Sequence, residues 1–260
     1  MTTPLLVRHP APFQTESLLG YVLRLSEVNG YPTPWNLYQH AGVRQSEART
    51  TGMSVAKIAL VTGRPISELN RIGFAPPEGS PRSCRLLGHP LTTMDLGLKN
   101  PGICTACVKE KGFVEAFWHL ELMVGCPIHM CELVSSCARC TKPLRWFRPG
   151  LLECSCGSDL SQQPAAPIPS HVASLLDLIR RRTIGVSASK GSMGPVPEDD
   201  LMEMDLRCLL RVIRTLGKYH HGPRTILRRR SLSFSAKPCI ASGSFGQEGP
   251  LASRCPRTSP

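Results

Sequence analysis

Apolar residues along the first seventy or so positions recur at steps of three and four, the period of a helix that buries one face. In "TESLLGYVLRLSEVNG", Leu18, Val22, Leu25 and Val28 form such a stripe, with Thr15 placed to cap its start and Gly30 to close its end. "TPWNLYQHAG" follows, with Thr33 at the cap, Pro34 at the first helical position and Gly42 at the stop. In "SVAKIALVTGRPISELNRIGF", Ser54 opens a short helix, Gly63 breaks it and Pro65 opens another that reaches about Ile72. The pattern Ala59-x3-Gly63-x5-Leu69 suits a helix-turn-helix. A small residue lets the helices approach, glycine takes the positive φ of the turn, and an apolar residue packs back. A helical hairpin that merely packs, or that binds protein, carries the same pattern.

The periodicity then lapses. "FAPPEGSPRS" at 74–83 reads as a linker, and 84–103 as irregular chain with short strands in "RLLGHPLTTMDLG". Residues 104–160 are dense in cysteine, and "SQQPAAPIPS" reads as a second linker. Ser170 is placed to cap a helix with Val172, Leu175, Leu176 and Ile179 on one face. Residues 199–216 give the best period in the chain, with Met202, Leu206, Leu209, Ile213 and Leu216 in one stripe, Cys208 as a buried thiol and Gly217 as the stop. From about 231 the chain has no period and few aliphatics and reads as disordered, so that Cys239 and Cys255 are incidental.

The predicted organisation is mainly α with a small zinc-bound irregular or β module. It comprises an N-terminal helix-turn-helix-like domain (1–80), a tandem zinc-finger domain (81–160), a short helical C-terminal region (168–230) and a disordered basic tail (231–260).

Composition changes this picture in two ways. No apolar run is long enough to cross a bilayer, and the start of the chain lacks the unbroken apolar segment of a signal peptide. The expected address is cytoplasmic, where thiols stay reduced and clustered cysteines bind metal rather than pair as disulfides. The net charge of +12 suits a nucleic-acid partner, yet residues 218–260 hold eight Lys or Arg against one acidic residue, and 1–217 carry only +5. A solvated basic tail explains the excess equally well.

The cysteine spacings carry the chemistry. Cys104-x2-Cys107 precedes Cys126-x2-His129, and Cys137-x2-Cys140 precedes Cys154-x-Cys156. Taken in order, these are two four-donor sets, the tetrahedral complement of two structural zinc ions with no vertex left for water. An interleaved arrangement, with the first and third pairs sharing an ion, satisfies the same chemistry. Cys131 fits the spacing of neither set, and Cys84 is also left over. Between the first two pairs "VEAFWHLELM" reads as a helix turning Phe117, Trp118 and Leu122 inward. His119 and Glu121 spell the H-x-E of zinc deaminases, but no P-C-x2-C follows. Zinc-protease, phosphate-loop and dinucleotide motifs are absent.

"ESLLGYVLRLSEVNG", then "GICTACVKEKGFVEAFWHLELMVGCPIHMCELVSSCARCTKPL", then "CSCGSDL" resemble, in that order, the TniQ family of transposition proteins, relatives of the TnsD target selectors; the likeness covers roughly residues 4–160. The first motif reads C-T-A-C where the family favours proline after the first cysteine, a change that leaves ligation intact. The chain also resembles a short or truncated member. The resemblance implies an accessory, non-catalytic protein of bacterial target-site selection, nucleoid-associated when active. It would link target DNA or an RNA-guided complex to an AAA+ transposition ATPase, and homodimerisation stays open. The implied zinc ligands are Cys104, Cys107, Cys126 and His129, then Cys137, Cys140, Cys154 and Cys156. Candidate DNA contacts are Lys57, Arg64 and Arg71 around the hairpin, Arg145 and Arg148 after the second CxxC, and the runs Arg180, Arg181, Arg182 and Arg228, Arg229, Arg230. The competing readings are a zinc-containing helix-turn-helix transcription regulator and a protein-interaction module that does not bind DNA.

Overall fold

The first helix, α1 (Leu18–Val28), is apolar on almost every side, and Leu18, Leu19, Tyr21, Val22, Leu23 and Leu25 are all fully buried. A helix with apolar residues all round belongs at the centre of a core. Its cap is Ser17 rather than Thr15: the Ser17 hydroxyl accepts from the Gly20 N–H at 2.9 Å. Thr15 is occupied elsewhere, its carbonyl accepting from the Ala116 N–H at 2.7 Å while the Ser17 N–H donates to the Val114 carbonyl at 3.0 Å. These bonds pair residues 15–17 with 114–116. At Gly20 a β-carbon would fall 2.7 Å from that of Val114, so only glycine allows this approach.

The computed structural model describes residues 6–48, 52–74, 82–186 and 198–221, which all fall in one packing unit. It is mostly helical, with two small antiparallel sheets. Helix α2 (Pro34–His40) is capped by Thr33 as its sequence predicts. Helices α3 (Val55–Thr62) and α4 (Ile66–Ile72) form a hairpin whose turn is Gly63 at φ +63°, with Ala59 and Leu69 buried between them. Phe74, expected in a linker, is buried with its ring centroid 5.3 Å from that of His119, the two rings meeting edge to face.

Strands β1 (Ser83–Leu86) and β2 (His89–Thr92) pair around the two-residue turn Leu87-Gly88, both at positive φ, in the region expected to hold short strands. Helix α5 (Thr105–Lys111) ends at Gly112 in the left-handed conformation. The helix expected in "VEAFWHLELM" reduces to one 3-10 turn, Ala116–His119. Tertiary pairing prevails over local pattern: Ala116 N–H goes to Thr15, His119 carbonyl accepts from Gly97 N–H at 2.7 Å, and Glu121 N–H donates to Asp95 at 2.9 Å. Strands β3 (Gly125–Cys126) and β4 (Cys131–Glu132) make the second hairpin. The segment read as a second linker lies along β4, with Glu132 N–H donating to Ala166 at 2.8 Å and Ile168 N–H to Met130 at 2.9 Å.

Helix α6 (Ser170–Ile184) packs against β3; its cap position is Pro169, and Ser170 is the first helical residue. The helix expected over 199–216 is broken into α7 (Glu198–Glu203) and α8 (Leu206–His221). Arg182 Nε donates to the Met204 carbonyl at 2.7 Å, engaging an acceptor that a continuous helix would need. Leu206 and Leu209 are buried, whereas Leu216 is 63% exposed, and Cys208 is exposed rather than buried. Arg228, Arg229, Arg230 and the predicted tail lie outside the described residues.

One charge pair is sealed in this core. The Glu16 carboxylate, fully buried, is gripped by Arg24 through Nε at 2.8 Å and Nη2 at 2.7 Å, and accepts from the Phe13 N–H at 3.1 Å. Burial pushes the Glu16 carboxyl up, and Arg24 acts against that shift. Removing Arg24 alone leaves the acid buried without its partner, so Arg24→Met lowers stability by about 3–5 kcal/mol. The combined Glu16→Gln/Arg24→Met variant loses less than the two single losses added. Urea midpoints of the four metal-loaded proteins check this, and strict additivity would contradict it.

Candidate metal centres

Two groups of four donors gather in sequence order: Cys104, Cys107, Cys126 and His129, then Cys137, Cys140, Cys154 and Cys156. Within each group every donor atom lies within 4.8 Å of the others. The interleaved alternative is not what the fold builds.

In the first group Cys104 stands immediately before α5 and Cys107 on its first turn. The chain entering Cys104 is clamped by reciprocal bonds between Ile103 and Val134, at 3.0 and 2.8 Å. The β3–β4 hairpin supplies the other two donors, Cys126 from β3 and His129 from the turn. His129 Nδ1 lies 3.2 Å from Cys107 Sγ, 3.5 Å from Cys104 Sγ and 3.7 Å from Cys126 Sγ, and Cys107 Sγ is 3.6 Å from Cys126 Sγ. Four bonds of about 2.3 Å to a tetrahedral ion set neighbouring sulfurs about 3.8 Å apart, so the cluster already has coordination dimensions. The other ring nitrogen, Nε2, meets Glu110 Oε1 at 2.9 Å, which orients the imidazole with Nδ1 toward the thiols. Backbone N–H of His129 reaches Cys126 Sγ at 3.4 Å. Hydrogen bonds from Cys107 and Cys126 pull the Cys104 thiol down, and the same shared bonds push the Cys107 thiol up. The three thiols are fully buried.

The second group is built from two tight turns. In one, Cys137 N–H donates to Lys142 at 3.0 Å and Thr141 N–H to Cys137 at 2.8 Å, with Thr141 at φ +58°. In the other, Cys154 N–H donates to Ser158 at 2.9 Å and Gly157 N–H returns to Cys154 at 2.8 Å, with Gly157 at φ +75°. Sulfur separations are 3.8 Å for Cys137–Cys156 and 3.8 Å for Cys140–Cys154. Backbone N–H groups of Cys140 and then Arg139 bring the Cys137 thiol down to about 6. Cys156 is exposed and Cys140 half-buried, so this cluster is more open than the first.

The donors of both groups fit a metal ion by type and spacing. Glu110, which steadies His129, had no signal in the sequence, because its partner is nineteen residues away. His119 of the H-x-E pair is buried between Phe74 and Trp146, its ring centroid 5.3 Å from each.

The candidate DNA-contacting cations fare unequally. Lys57 pairs with Glu47 at 3.0 Å and Arg64 with Glu68 at 2.8 Å. Arg180 and Arg181 share Asp177, and Arg182 holds Met204. Arg148 is 1% exposed and donates to the carbonyls of Gly150, Arg145 and Leu151, a loop-closing role that leaves it no face for a phosphate. Arg71 and Arg145 are exposed and form no ion pair among the described residues. A cleft of about 400 Å³ beside the second cluster is lined by Lys142, Arg145 and Arg148. Lys142 is a basic residue that the sequence reading passed over.

Residues 7–133 match the family model described as TniQ. The match takes in the whole first cluster and ends before the second. No curated protein matches the chain.

Each cluster should lose its own ion when two thiols are removed. Cys104→Ser/Cys107→Ser and Cys137→Ser/Cys140→Ser each retain one ion per chain, and the fourfold variant none, by elemental analysis. Glu110→Ala keeps the first ion but weakens its affinity by about 10- to 100-fold, read by competition with a chromogenic chelator.

Proposed function

We propose, from the match of residues 7–133 to the TniQ family of transposition-associated proteins, that this chain is a member of that family and a non-catalytic adaptor in target-site selection. It would link target DNA, or an RNA-guided complex, to an AAA+ transposition ATPase. The match is the observation that carries this reading.

Both ions are proposed to be zinc, held structurally. Thiolate-rich tetrahedra suit zinc, and four protein donors leave no vertex for the water a hydrolytic centre needs. A segment as small and irregular as 104–160 depends on such ions for its fold. In the α3–α4 hairpin, exposed Ser67, Asn70 and Arg71 share one face of α4, at steps of three and one. These residue types serve a helix read against DNA, with Arg71 on phosphate or a base edge. Arg145 and Lys142 would add phosphate contacts from the cleft beside the second cluster.

A protein-only adaptor is the second reading, favoured by a specific observation. Lys57 and Arg64, nearest the hairpin turn, are already paired with Glu47 and Glu68, and Leu60 and Ile66 on the same hairpin are 63% and 50% exposed. Exposed aliphatics beside neutralised charge suit a protein surface. No helix among the described residues is long and apolar enough to cross a membrane.

Binding to labelled duplex across a salt series separates the two. The full chain should bind with modest, sequence-tolerant affinity. Arg71→Ala should weaken it several-fold and reduce the salt slope by about one, while alanine at Arg228, Arg229 and Arg230 leaves most of the affinity. Affinity lost only in the latter variant would favour the protein-only adaptor. Tight binding to one short operator would instead favour a transcription regulator.

A further inference from the structure

The first cluster has a fifth donor within reach. Antiparallel pairing of β3 with β4 sets Cys126 directly opposite Cys131, so both side chains leave the hairpin on the same face. Cys131 Sγ lies 3.9 Å from Cys104 Sγ, the spacing of two sulfurs on one tetrahedral ion and close to the 3.8 Å found within the second cluster. The backbone of Cys131 is fixed on its far side by a bridge to Pro167, whereas its side chain is only half-buried. His129 sits two residues earlier in the hairpin turn and is held from outside by Glu110, whose side chain is 59% exposed. Five donors therefore stand around four vertices, and His129, the half-buried member beside three buried thiols, is the one that Cys131 would displace.

We propose that Cys131 is an alternative ligand of the first metal site, replacing His129 to complete an all-thiolate set with Cys104, Cys107 and Cys126. In the exchange the metal–Nδ1 bond breaks and a metal–Sγ bond forms. The thiol proton passes to solvent and His129 leaves as neutral imidazole. No electrons move. The ion gains one unit of negative charge in its donor shell, so the two forms present different surfaces around the hairpin. The inference rests on the first cluster being a metal site, which Cys104→Ser/Cys107→Ser tests separately.

Cobalt(II) loaded into the full-length chain reads the exchange directly, because sulfur-to-metal charge-transfer intensity rises with each thiolate bound. His129→Ala and Cys131→Ser are each expected to keep two ions per chain, with His129→Ala gaining charge-transfer intensity from a fourth sulfur. The combined His129→Ala/Cys131→Ser variant should keep one ion, that of the second cluster, whose unchanged spectrum also reports that the chain is folded. Loss of the first ion in His129→Ala alone would overturn the proposal, as would two ions retained in the combined variant. So would a Cys104–Cys131 disulfide, found by mass spectrometry, in place of bound metal in His129→Ala.

Discussion

Backbone pairing of residues 15–17 with 114–116 is the constraint on which the rest of this fold depends. It sets the start of the central helix against the segment that follows α5, and α5 carries two donors of the first cluster. The buried Glu16–Arg24 pair secures the N-terminal side of this seam, and the absent side chain of Gly20 sets its spacing. A second fastening runs from the far end of α1, where the Glu27 carboxylate accepts from the Leu151 N–H at 3.1 Å, three residues before Cys154. Both clusters are thus referenced to one helix, and their geometry is a property of the whole core rather than of isolated knuckles.

The features legible in the sequence are those whose causes are local. Thr33-Pro34 and Gly63 mark helix ends through interactions within a few residues, and the CxxC and CxxH pairs follow from the bite of a single turn. Features fixed across the chain are not legible. The 3-10 turn at Ala116–His119 arises because distant backbone competes for its hydrogen bonds, and the break before Leu206 has Arg182 at its carbonyl. Phe74 and residues 166–168 read as linker because proline, glycine and alanine resemble solvent-facing chain. Their partners, His119 and β4, lie elsewhere in the sequence.

Basic residues show the same limit in a form that bears on function. Sequence gives the charge of Arg148, Arg181 and Arg182 but not its employment: in the fold Arg148 closes a loop, Arg181 pairs with Asp177 along α6, and Arg182 ties α6 to the break between α7 and α8. An arginine with several carbonyl acceptors at hand serves as a multidentate cross-link. Net charge therefore overstates the electrostatic surface available to a polyanion. What remains near the hairpin is a narrow set centred on Arg71, beside exposed aliphatic side chains.

The unequal burial of the two clusters has a kinetic consequence. With Cys156 at the surface, an ion in the second cluster could be approached by a competing ligand one sulfur at a time. The first cluster is walled in by three buried thiols and by the seam to α1. Ions held in the two clusters would thus have different lifetimes: under metal scarcity an outer one would be surrendered early, and an inner one would persist as long as the core holds. A partner seated on the turns around Cys140 and Cys156 would slow that exchange, and occupancy of the outer site would then record whether the protein is engaged or alone.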